Sequence, residues 1–407
     1  MDDFQIMRHF GRIPIAAVAG ALMAASCLAV GQPFLTPPSQ SQIDLVEQRR
    51  TDFPAATFVE DTDWFDPLQL VQGGHQRFSN GRPMLPALAR QLDGFFAATN
   101  SYAMVVAHGG KIVFEKYKPG QGPAKLYDTA SMHKTVVGIL TGIAIDRGTI
   151  ADIDDTVGQY LPEWRGHAIG DMTIRQLLEM SSGFRTPPLS NSAASPYWQS
   201  YFGDDLKWAM AQWPVDRQLA GQFYYANANT QFLSWVLERA SGRRYADLLS
   251  GQLWQHIGAD NARLWLDREG GSPRASCCLQ ATARDWVRVG ELIRNRGRWR
   301  GQKIVSAAWI DAMLAPSLAN PNFGRHIWRG SPYNPKRSYG ADIPAIMEAK
   351  APFKRNDTYY IDGSGGQRVY IIPSQKLVIV RIGKPMPDWD DSALPNMLCT
   401  KEYDCQP

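Results

Sequence analysis

The distribution of apolar residues predicts strands at both ends of a long middle section that is mainly helical. Residues 101–117 contain two apolar runs around Gly109 and Gly110, a turn pair that tolerates positive φ angles, and they predict a β-hairpin. Residues 368–382 contain two further β-rich runs around Pro373 and the polar residues after it. Apolar residues between these ends recur at helical spacing. The helices predicted in this way cover residues 131–146, 173–180, 230–241, 282–294 and 307–314.

This order of elements predicts an α+β fold. An antiparallel sheet assembled from both ends of the chain and flanked by helices, with a mainly helical lobe inserted, is the simplest arrangement that fits it. We expect one domain over residues 81–395 with the helical lobe at roughly 150–290. Residues 32–80, rich in Pro, Gln and Asp, predict an extended and weakly structured lead-in, and residues 396–407 predict a tail.

The first residues of the chain predict export. Arg8 and Arg12 precede the uncharged apolar run 13–30, and a polar, Pro-rich stretch follows it. Residues 1–31 therefore resemble a secretory signal peptide with a cleavage site near Gly31. The run is also long enough to remain as a membrane anchor, and a buried core helix is the third interpretation. We expect an exported protein that is periplasmic, secreted or attached to the membrane through residues 13–30.

Composition and charge indicate a globular protein and argue against nucleic acid as a partner. Apolar residues make up 44% of the 407 residues and charged residues 20%, which is typical of a globular protein with a large core. The net charge is +4, and no block of Lys and Arg stands out. Nucleic acid is therefore not an expected partner.

We expect the cysteines to have structural roles. Cys399 and Cys405 flank a short polar loop and could pair in an oxidising compartment. We do not expect Cys277 and Cys278 to bridge each other, because disulfide geometry is difficult across one peptide bond. The sequence contains no Cys-x-x-Cys, no accompanying His pair and no His-Glu-x-x-His. It implies no metal and no organic cofactor.

Ser131 and Lys134 form the first candidate for chemistry. Helix positions i and i+3 lie on one face, so Lys134 can reach the Ser131 hydroxyl. A serine needs a base to become a nucleophile, and a lysine in a dry pocket can lose its proton and act as one. This Ser-x-x-Lys is the only one in the chain, and it opens an apolar helix. The alternative is a helix-capping serine beside a solvated lysine.

The second and third candidates are a turn before a helix and a glycine-rich segment. Tyr225 can present a phenol that relays the serine proton, while Asn227 and Asn229 can hold a substrate carbonyl; a buried tyrosine and helix-capping asparagines are the alternatives. Residues 362–367 lead into the last strands, and their backbone N–H groups can complete an oxyanion hole with the amide of Ser131. A plain loop or bulge is the alternative there.

These three elements in this order resemble a known family. The order Ser-x-x-Lys, Tyr-x-Asn and glycine-rich strand is similar to that of the penicillin-recognising serine hydrolases, which include class C beta-lactamases, DD-peptidases and related esterases. Within that group the chain is most similar to the 6-aminohexanoate-dimer hydrolases. Residues 173–184, 225–242 and 365–380 also look like their counterparts in that family. The resemblance covers roughly residues 95–385.

The resemblance implies roles for individual residues. Ser131 would be the acylated nucleophile, Lys134 its proton acceptor, and Tyr225 a second base or leaving-group acid. The Tyr-x-Asn motif points to Asn227, whereas the Tyr-x-x-x-Asn-Thr spacing of the nylon-oligomer hydrolases points to Asn229. Both assignments remain open.

The glycine-rich segment departs from the pattern of the beta-lactamases. Gly363 to Gly366 align with the stretch that includes Lys-Thr-Gly in those enzymes. The alignment puts Ser364 where they hold a lysine, or relatives a histidine, and gives Gln367 the second oxyanion N–H, with Gly365 and Gly366 between them. A lysine binds a substrate carboxylate through charge-assisted hydrogen bonds, which a serine cannot make. The resemblance thus implies a serine esterase or amidase, with weak or absent beta-lactamase activity, that acts on small molecules. Its aromatic segment 184–222 would cover an apolar substrate or pack in the core. A non-catalytic envelope sensor or scaffold on the same fold is the rival hypothesis.

Overall fold

A six-stranded antiparallel sheet forms the centre of the protein. The computed structural model describes residues 36–386 and 388–400. The strands, numbered β1 to β14 in chain order, are Leu68–Val71, Ser101–His108, Lys111–Tyr117, Leu126–Asp128, Ala262–Trp265, Leu279–Thr282, Arg298–Trp299, Gln302–Lys303, Trp328–Arg329, Lys336–Ser338, Ile346–Glu348, Tyr359–Gly363, Gln367–Ile372 and Leu377–Gly383. The central sheet has the order β3-β2-β14-β13-β12-β9, and Val380 of β14 pairs with Val105 of β2. The predicted sheet built from both ends of the chain is confirmed.

Helices fill the sequence between and around these strands. Numbered α1 to α12 in chain order, they are Gln40–Asp52, Pro86–Ala98, His133–Asp146, Val157–Tyr160, Ile174–Leu178, Pro196–Phe202, Leu206–Ala211, Asn227–Ser241, Tyr245–Leu249, Ala283–Arg294, Ala307–Leu314 and Ala393–Leu398. The five predicted helices are therefore present, each with bounds shifted by a few residues at most. The predicted α+β class, with an antiparallel sheet and a helical lobe, is confirmed.

Both faces of the central sheet are covered, which explains why its strands are continuous apolar runs. Val105 and Ala107 of β2 point into the larger core cluster together with α10, whereas Met104 and Val106 point into a second cluster with α2. Gly290 of α10 lies so close to β14 that a Cβ would overlap Val378. Most of α10 falls within the predicted limits of the helical lobe, but it packs on the sheet.

The expected extended lead-in is wrong for residues 40–52. They form α1, which begins with a capping box between Ser39 and Gln42. The residues after α1 contribute core side chains, and the ring of Phe53 lies 5.5 Å from that of Phe202. Polar residues dominate α1, so the apolar pattern gave no helical signal there; its stabilising contacts come from residues distant in sequence.

A second, four-stranded sheet of order β1-β5-β6-β4 prepares the candidate site. Tyr127 of β4 pairs with Ala281 of β6. The residues just before Ser131 and those just after Cys278 are thus held by one pair of strands. This pairing brings two distant segments of the chain to the start of α3.

Two predictions fall on residues outside those described. The export segment, which includes residues 13–30, lies there. Cys405, the partner of Cys399 in the proposed disulfide, lies there as well. Both therefore stay predictions. Across residues 36–386 and 388–400, no helix is both long enough and apolar enough to cross a membrane.

Candidate active site

Ser131 lies in a 3-10 turn, Ala130–Met132, that leads directly into α3. Ala130 has a φ of +50°, and its N–H donates to Asp128 Oδ1 at 2.9 Å. The turn packs against β12, and Ser131 is partly exposed while its neighbour Met132 is buried. A hydroxyl at the start of a helix, where backbone N–H groups are free, is well placed for a developing oxyanion.

Lys134 connects the serine to a second wall of the site. Its Nζ lies 2.8 Å from Ser131 Oγ and 2.5 Å from the carbonyl oxygen of Ser276. The side chain of this lysine is only 2% exposed, so bulk water does not surround the amine. The alternative of a solvated lysine is therefore contradicted by the structure.

Tyr225 lies close to the same amine. Lys134 Nζ is 5.0 Å from the centroid of the Tyr225 ring. The ring packs against Trp328 at 6.0 Å and Tyr339 at 5.1 Å, and the Tyr225 N–H donates to the Tyr339 carbonyl at 2.7 Å. The structure thus places the Ser131 hydroxyl and the Tyr225 ring within 5.0 Å of one buried amine.

The two asparagines differ in position. Asn227 is partly exposed, and its Nδ2 donates to the hydroxyl of Tyr201 at 3.0 Å. Asn229 is fully buried, with Oδ1 accepting from Ser182 Oγ at 2.6 Å. It lies inside α8, so the helix-cap interpretation of Asn229 is wrong. Of the two asparagines, Asn227 is the one that lines a small cavity, together with Ser276 and Cys277.

One end of the glycine-rich segment approaches the nucleophile turn. A Cβ on Gly363 would overlap the carbonyl oxygen of Thr129. Beyond Gly363, the buried Ser364 leads into a turn in which Gly365 and Gly366 have φ angles of +75° and +84°. These two glycines face away from the nucleophile turn.

The buried Gln367, whose N–H the resemblance implies as the second oxyanion donor, follows this turn. It lies on β13, where it pairs with Gly363 across the hairpin. Its fully buried side chain bonds both backbone groups of Gly383, donating to the carbonyl at 2.9 Å and accepting from the N–H at 2.9 Å. The side chain therefore joins the start of β13 to the end of β14.

Several residues near the site carried no sequence signal. Tyr339 donates its hydroxyl to Asp362 Oδ2 at 2.8 Å, and Asp362 forms an ion pair with Arg368. Arg368 also binds Asp391 at 2.7 Å, which in turn binds Arg337 at 3.0 Å. Two arginines and two aspartates thus form a charge-balanced buried network behind β12. These residues are far apart in sequence, so only the fold reveals the network.

The aromatic segment 184–222 mainly forms core. Phe184, Tyr197 and Phe202 are buried, and Trp198 and Tyr201 contact Tyr197 edge-on or tilted. The core-packing interpretation therefore applies to most of these rings.

The histidine between Ser131 and Lys134 is a buried structural residue. His133 donates from Nδ1 to the Cys277 carbonyl at 2.8 Å, and its Nε2 accepts from the Tyr245 hydroxyl at 2.8 Å. Burial lowers the pKa of His133 to about 4 and that of His326 to about 3. Both rings are therefore neutral at pH 7 and add no positive charge beside Lys134.

Cys277 and Cys278 form a disulfide with each other, contrary to expectation. Cys278 has a φ of +68°, a backbone conformation that non-glycine residues rarely adopt. The expectation rested on the difficulty of disulfide geometry across one peptide bond, and here the bridge occurs at a turn with this left-handed conformation.

Asp128 gives a pH-dependent prediction. Burial raises the pKa of this carboxyl to about 7, and its Oδ2 has no hydrogen-bond partner among the described residues. The folded pKa exceeds the unfolded value of 3.8, so the native state loses stability as the pH rises from about 4 to 7. We compare the free energy of unfolding of Asp128→Asn with that of the wild type. The value for the variant minus the value for the wild type should be on the order of 2 kcal/mol greater at pH 8 than at pH 5.

Urea unfolding of both proteins at the two pH values measures this difference. Any constant cost of burying the new amide cancels in the comparison. An equal free-energy difference at pH 5 and pH 8 would show that Asp128 titrates normally.

The antiparallel sheet and its flanking helices define the beta-lactamase/transpeptidase fold class. The chain belongs to the beta-lactamase family, whose model matches residues 88–391. The 6-aminohexanoate-dimer hydrolase of Paenarthrobacter ureafaciens is 29% identical over 250 residues, which make up 57% of this chain and 60% of the relative. The match thus spans less than two thirds of that relative's length. The relatives of the present chain in the beta-lactamase family are hydrolases.

Solved structures agree with this fold. The structure named "Putative 6-aminohexanoate-dimer hydrolase from Bacillus anthracis" aligns with a TM-score of 0.68 at 22% identity, covering 89% of this chain and 97% of that one. A class C beta lactamase from Rhodobacter sphaeroides aligns with a TM-score of 0.56 at 17% identity, covering 79% and 98%. These similarities concern the fold.

Proposed function

We propose that the protein is a serine hydrolase that cleaves an ester or amide bond through an acyl-enzyme on Ser131, with Lys134 and Tyr225 as its proton-transfer groups. The observation that carries this proposal is the position of Lys134 Nζ, 2.8 Å from Ser131 Oγ and 2.5 Å from the Ser276 carbonyl. A nucleophile and a base within hydrogen-bond reach, with the base oriented by a third group, is the arrangement that covalent catalysis requires.

In this mechanism Lys134 accepts the proton of Ser131 as the hydroxyl attacks the substrate carbonyl. Removal of an amine from water favours its neutral form, and the neutral form has the lone pair that a base needs. The carbonyl of Ser276 holds the amine in place during the transfer. Tyr225 then passes its phenolic proton to the leaving group and takes up the proton held by Lys134, so that the acyl-enzyme forms with both groups in their starting states.

The oxyanion of the tetrahedral intermediate would bind two backbone N–H groups, those of Ser131 and Ser364. We assign the second donor to Ser364 instead of Gln367. β9 pairs only with Tyr359 and Tyr360 of β12, so the outer edge of β12 toward Gly363 has no strand partner among the described residues. That edge contacts the nucleophile turn, and Gly363, which precedes Ser364, lies against the Thr129 carbonyl.

Replacement of Gly363 by alanine is expected to separate this edge from the nucleophile turn. The new methyl group would overlap Thr129, so we expect kcat to fall about 10- to 100-fold and stability to fall by about 1–3 kcal/mol. Ester hydrolysis and thermal unfolding measure the two effects. Gly94→Ala on α2 is the control: no atom lies within 4 Å of its Cβ position, and activity should not change. A fully active Gly363→Ala variant would contradict the proposed oxyanion site.

The proposed substrate is an ester or amide without a required carboxylate. Ser364 carries no charge, and the ring of Tyr225, which is packed on Trp328, adds an apolar surface beside Lys134. The relative from Paenarthrobacter ureafaciens is named for hydrolysis of 6-aminohexanoate dimer, which supports an amide as one candidate.

A fluorophosphonate probe tests the proposal. Wild-type protein is expected to acquire one covalent label, mapped to Ser131 by peptide mass, and Ser131→Ala is expected to acquire none. A well-folded wild type that takes up no label would favour the rival, a non-catalytic sensor or scaffold. Comparison of p-nitrophenyl esters, short amides and nitrocefin then defines the substrate class, and rapid nitrocefin turnover would contradict the assignment from Ser364.

A further inference from the structure

Two consecutive carbonyl groups hold two consecutive side chains of α3. The carbonyl of Ser276 accepts from Lys134 Nζ at 2.5 Å, and that of Cys277 accepts from His133 Nδ1 at 2.8 Å. His133 and Lys134 are both buried. A shift of the 276–277 backbone would therefore displace the amine that faces Ser131.

This backbone is anchored on both sides of the disulfide. Before it, the Ala275 N–H donates to Gln231 Oε1 at 3.0 Å. After it, the Cys278 carbonyl accepts from the N–H of Trp265 at 3.3 Å, and β6 begins. Between these anchors, Cys278 has a φ of +68°, where a side chain is unfavourable. The Cys277–Cys278 disulfide encloses the peptide bond between them in a small ring, and this ring restricts the unfavourable turn.

We propose that the Cys277–Cys278 disulfide is a redox-sensitive positioning device, which keeps the Ser276 carbonyl against Lys134, and that its reduction lowers the activity of Ser131. This inference rests on the proposed serine hydrolase function. The two cysteines act through Lys134 and are positioning residues, since they do not take part in acyl transfer.

The reductive step is a two-electron thiol–disulfide exchange with a dithiol. A thiolate of the dithiol attacks the sulfur of Cys277, the S–S bond breaks, and the sulfur of Cys278 leaves as a thiolate that takes up a proton. The second thiol of the reductant then displaces Cys277, giving two protein thiols and one oxidised dithiol. Cys277 is 9% exposed and, with Ser276 and Asn227, lines a small cavity, whereas Cys278 is 1% exposed. Attack at Cys277 is therefore favoured.

Once the ring is open, Cys278 is free to leave the left-handed conformation. The carbonyl of Ser276 then loses its fixed position, and Lys134 loses its orientation toward Ser131. Misplacement of a catalytic group by about 1 Å lowers rates about 100-fold. We expect kcat to fall about 10- to 100-fold, while KM changes little because substrate contacts remain.

The first experiment uses the full chain, purified from an oxidising compartment. Alkylation and peptide mass analysis should find both thiols blocked before treatment with dithiothreitol and both alkylated after it. Hydrolysis of a p-nitrophenyl ester should fall on reduction and recover on reoxidation. Cys399→Ser/Cys405→Ser should respond in the same way, which assigns the response to residues 277 and 278.

Two double variants separate the disulfide from the backbone conformation. Cys277→Ser/Cys278→Ser lacks the ring but keeps a side chain at the left-handed position, and it should be as slow as the reduced wild type. Cys277→Ser/Cys278→Gly also lacks the ring, but glycine adopts φ +68° freely, so its kcat should recover most of the loss. Neither should respond to dithiothreitol. Circular dichroism and thermal unfolding check that both are folded.

Three results would overturn the inference: free thiols at both positions in the purified protein, unchanged kcat after proven reduction, or equal kcat in the two double variants. In each of these cases, oxidised wild type that still carries the fluorophosphonate label on Ser131 leaves the hydrolase function intact. Absence of that label from oxidised wild type would refute the function and, with it, the inference.

Discussion

Replacement of Lys134 by methionine is expected to lower kcat/KM for an ester substrate by about 10³-fold or more. Among the described contacts, the Lys134 amine is the only basic group within hydrogen-bond distance of Ser131 Oγ, and the substitution removes it. Methionine has an unbranched chain of similar length and no proton-accepting nitrogen. The residual rate would come from substrate binding and the oxyanion donors.

The same substitution should leave stability almost unchanged. The Ser276 carbonyl loses a donor, which costs about 1–3 kcal/mol, but the variant no longer buries an amine that is 2% exposed in the wild type. These effects oppose each other, so we expect the unfolding free energy to stay within about 2 kcal/mol of the wild type. Large loss of activity with little loss of stability indicates a catalytic role.

Lys303→Met is the matched control. Its side chain is 59% exposed and reaches Asp146 only at 4.0 Å, so activity and stability should remain at wild-type values. Burst kinetics with a p-nitrophenyl ester and urea unfolding measure both properties in the two variants. Lys134→Met with more than a tenth of wild-type activity would require another base for Ser131.

The sequence predicted the parts of the fold that depend on local apolar pattern. The hairpin at 101–117 and the strands at 368–382 alternate or run continuously apolar, and they lie in one sheet. Helix α1 was not predicted because only Val46 among its residues is buried. Its stability comes from contacts with α6 and with rings near Phe53, which no local pattern contains.

In the candidate site, too, local spacing predicted one contact, while the others depend on residues distant in sequence. Ser131 and Lys134 lie within one turn of helix, so their spacing alone places them together. The difference between Asn227 and Asn229 depends on Ser182, which is 47 residues away from Asn229 in sequence. The contact between Ser276 and Lys134 spans 142 residues. Neither contact has a signal in the spacing of motifs, and a single sequence cannot supply one.

The hydroxyl of Tyr225 is the remaining chemical group of the proposed mechanism, and Tyr225→Phe isolates it. The phenylalanine ring can keep the packing against Trp328 and Tyr339, and the backbone bond to the Tyr339 carbonyl does not involve the side chain. We expect kcat to fall about 10²- to 10³-fold with a small change in KM and in stability. Tyr224→Phe is the matched control: this ring is buried under Arg185, with the cation 4.4 Å from its centroid, and should not affect catalysis.

The choice of leaving group then tests which proton Tyr225 transfers. A p-nitrophenolate leaves without protonation, whereas the nitrogen of an alkyl amide must gain a proton before its bond to carbon breaks. If Tyr225 is the leaving-group acid, Tyr225→Phe should lower amide hydrolysis at least 10-fold more than p-nitrophenyl ester hydrolysis. Equal losses on the two substrates would instead assign Tyr225 to activation of Ser131, because that step is common to both. Wild-type rates on both substrates would remove Tyr225 from the mechanism and leave Lys134 as the only proton carrier beside the serine.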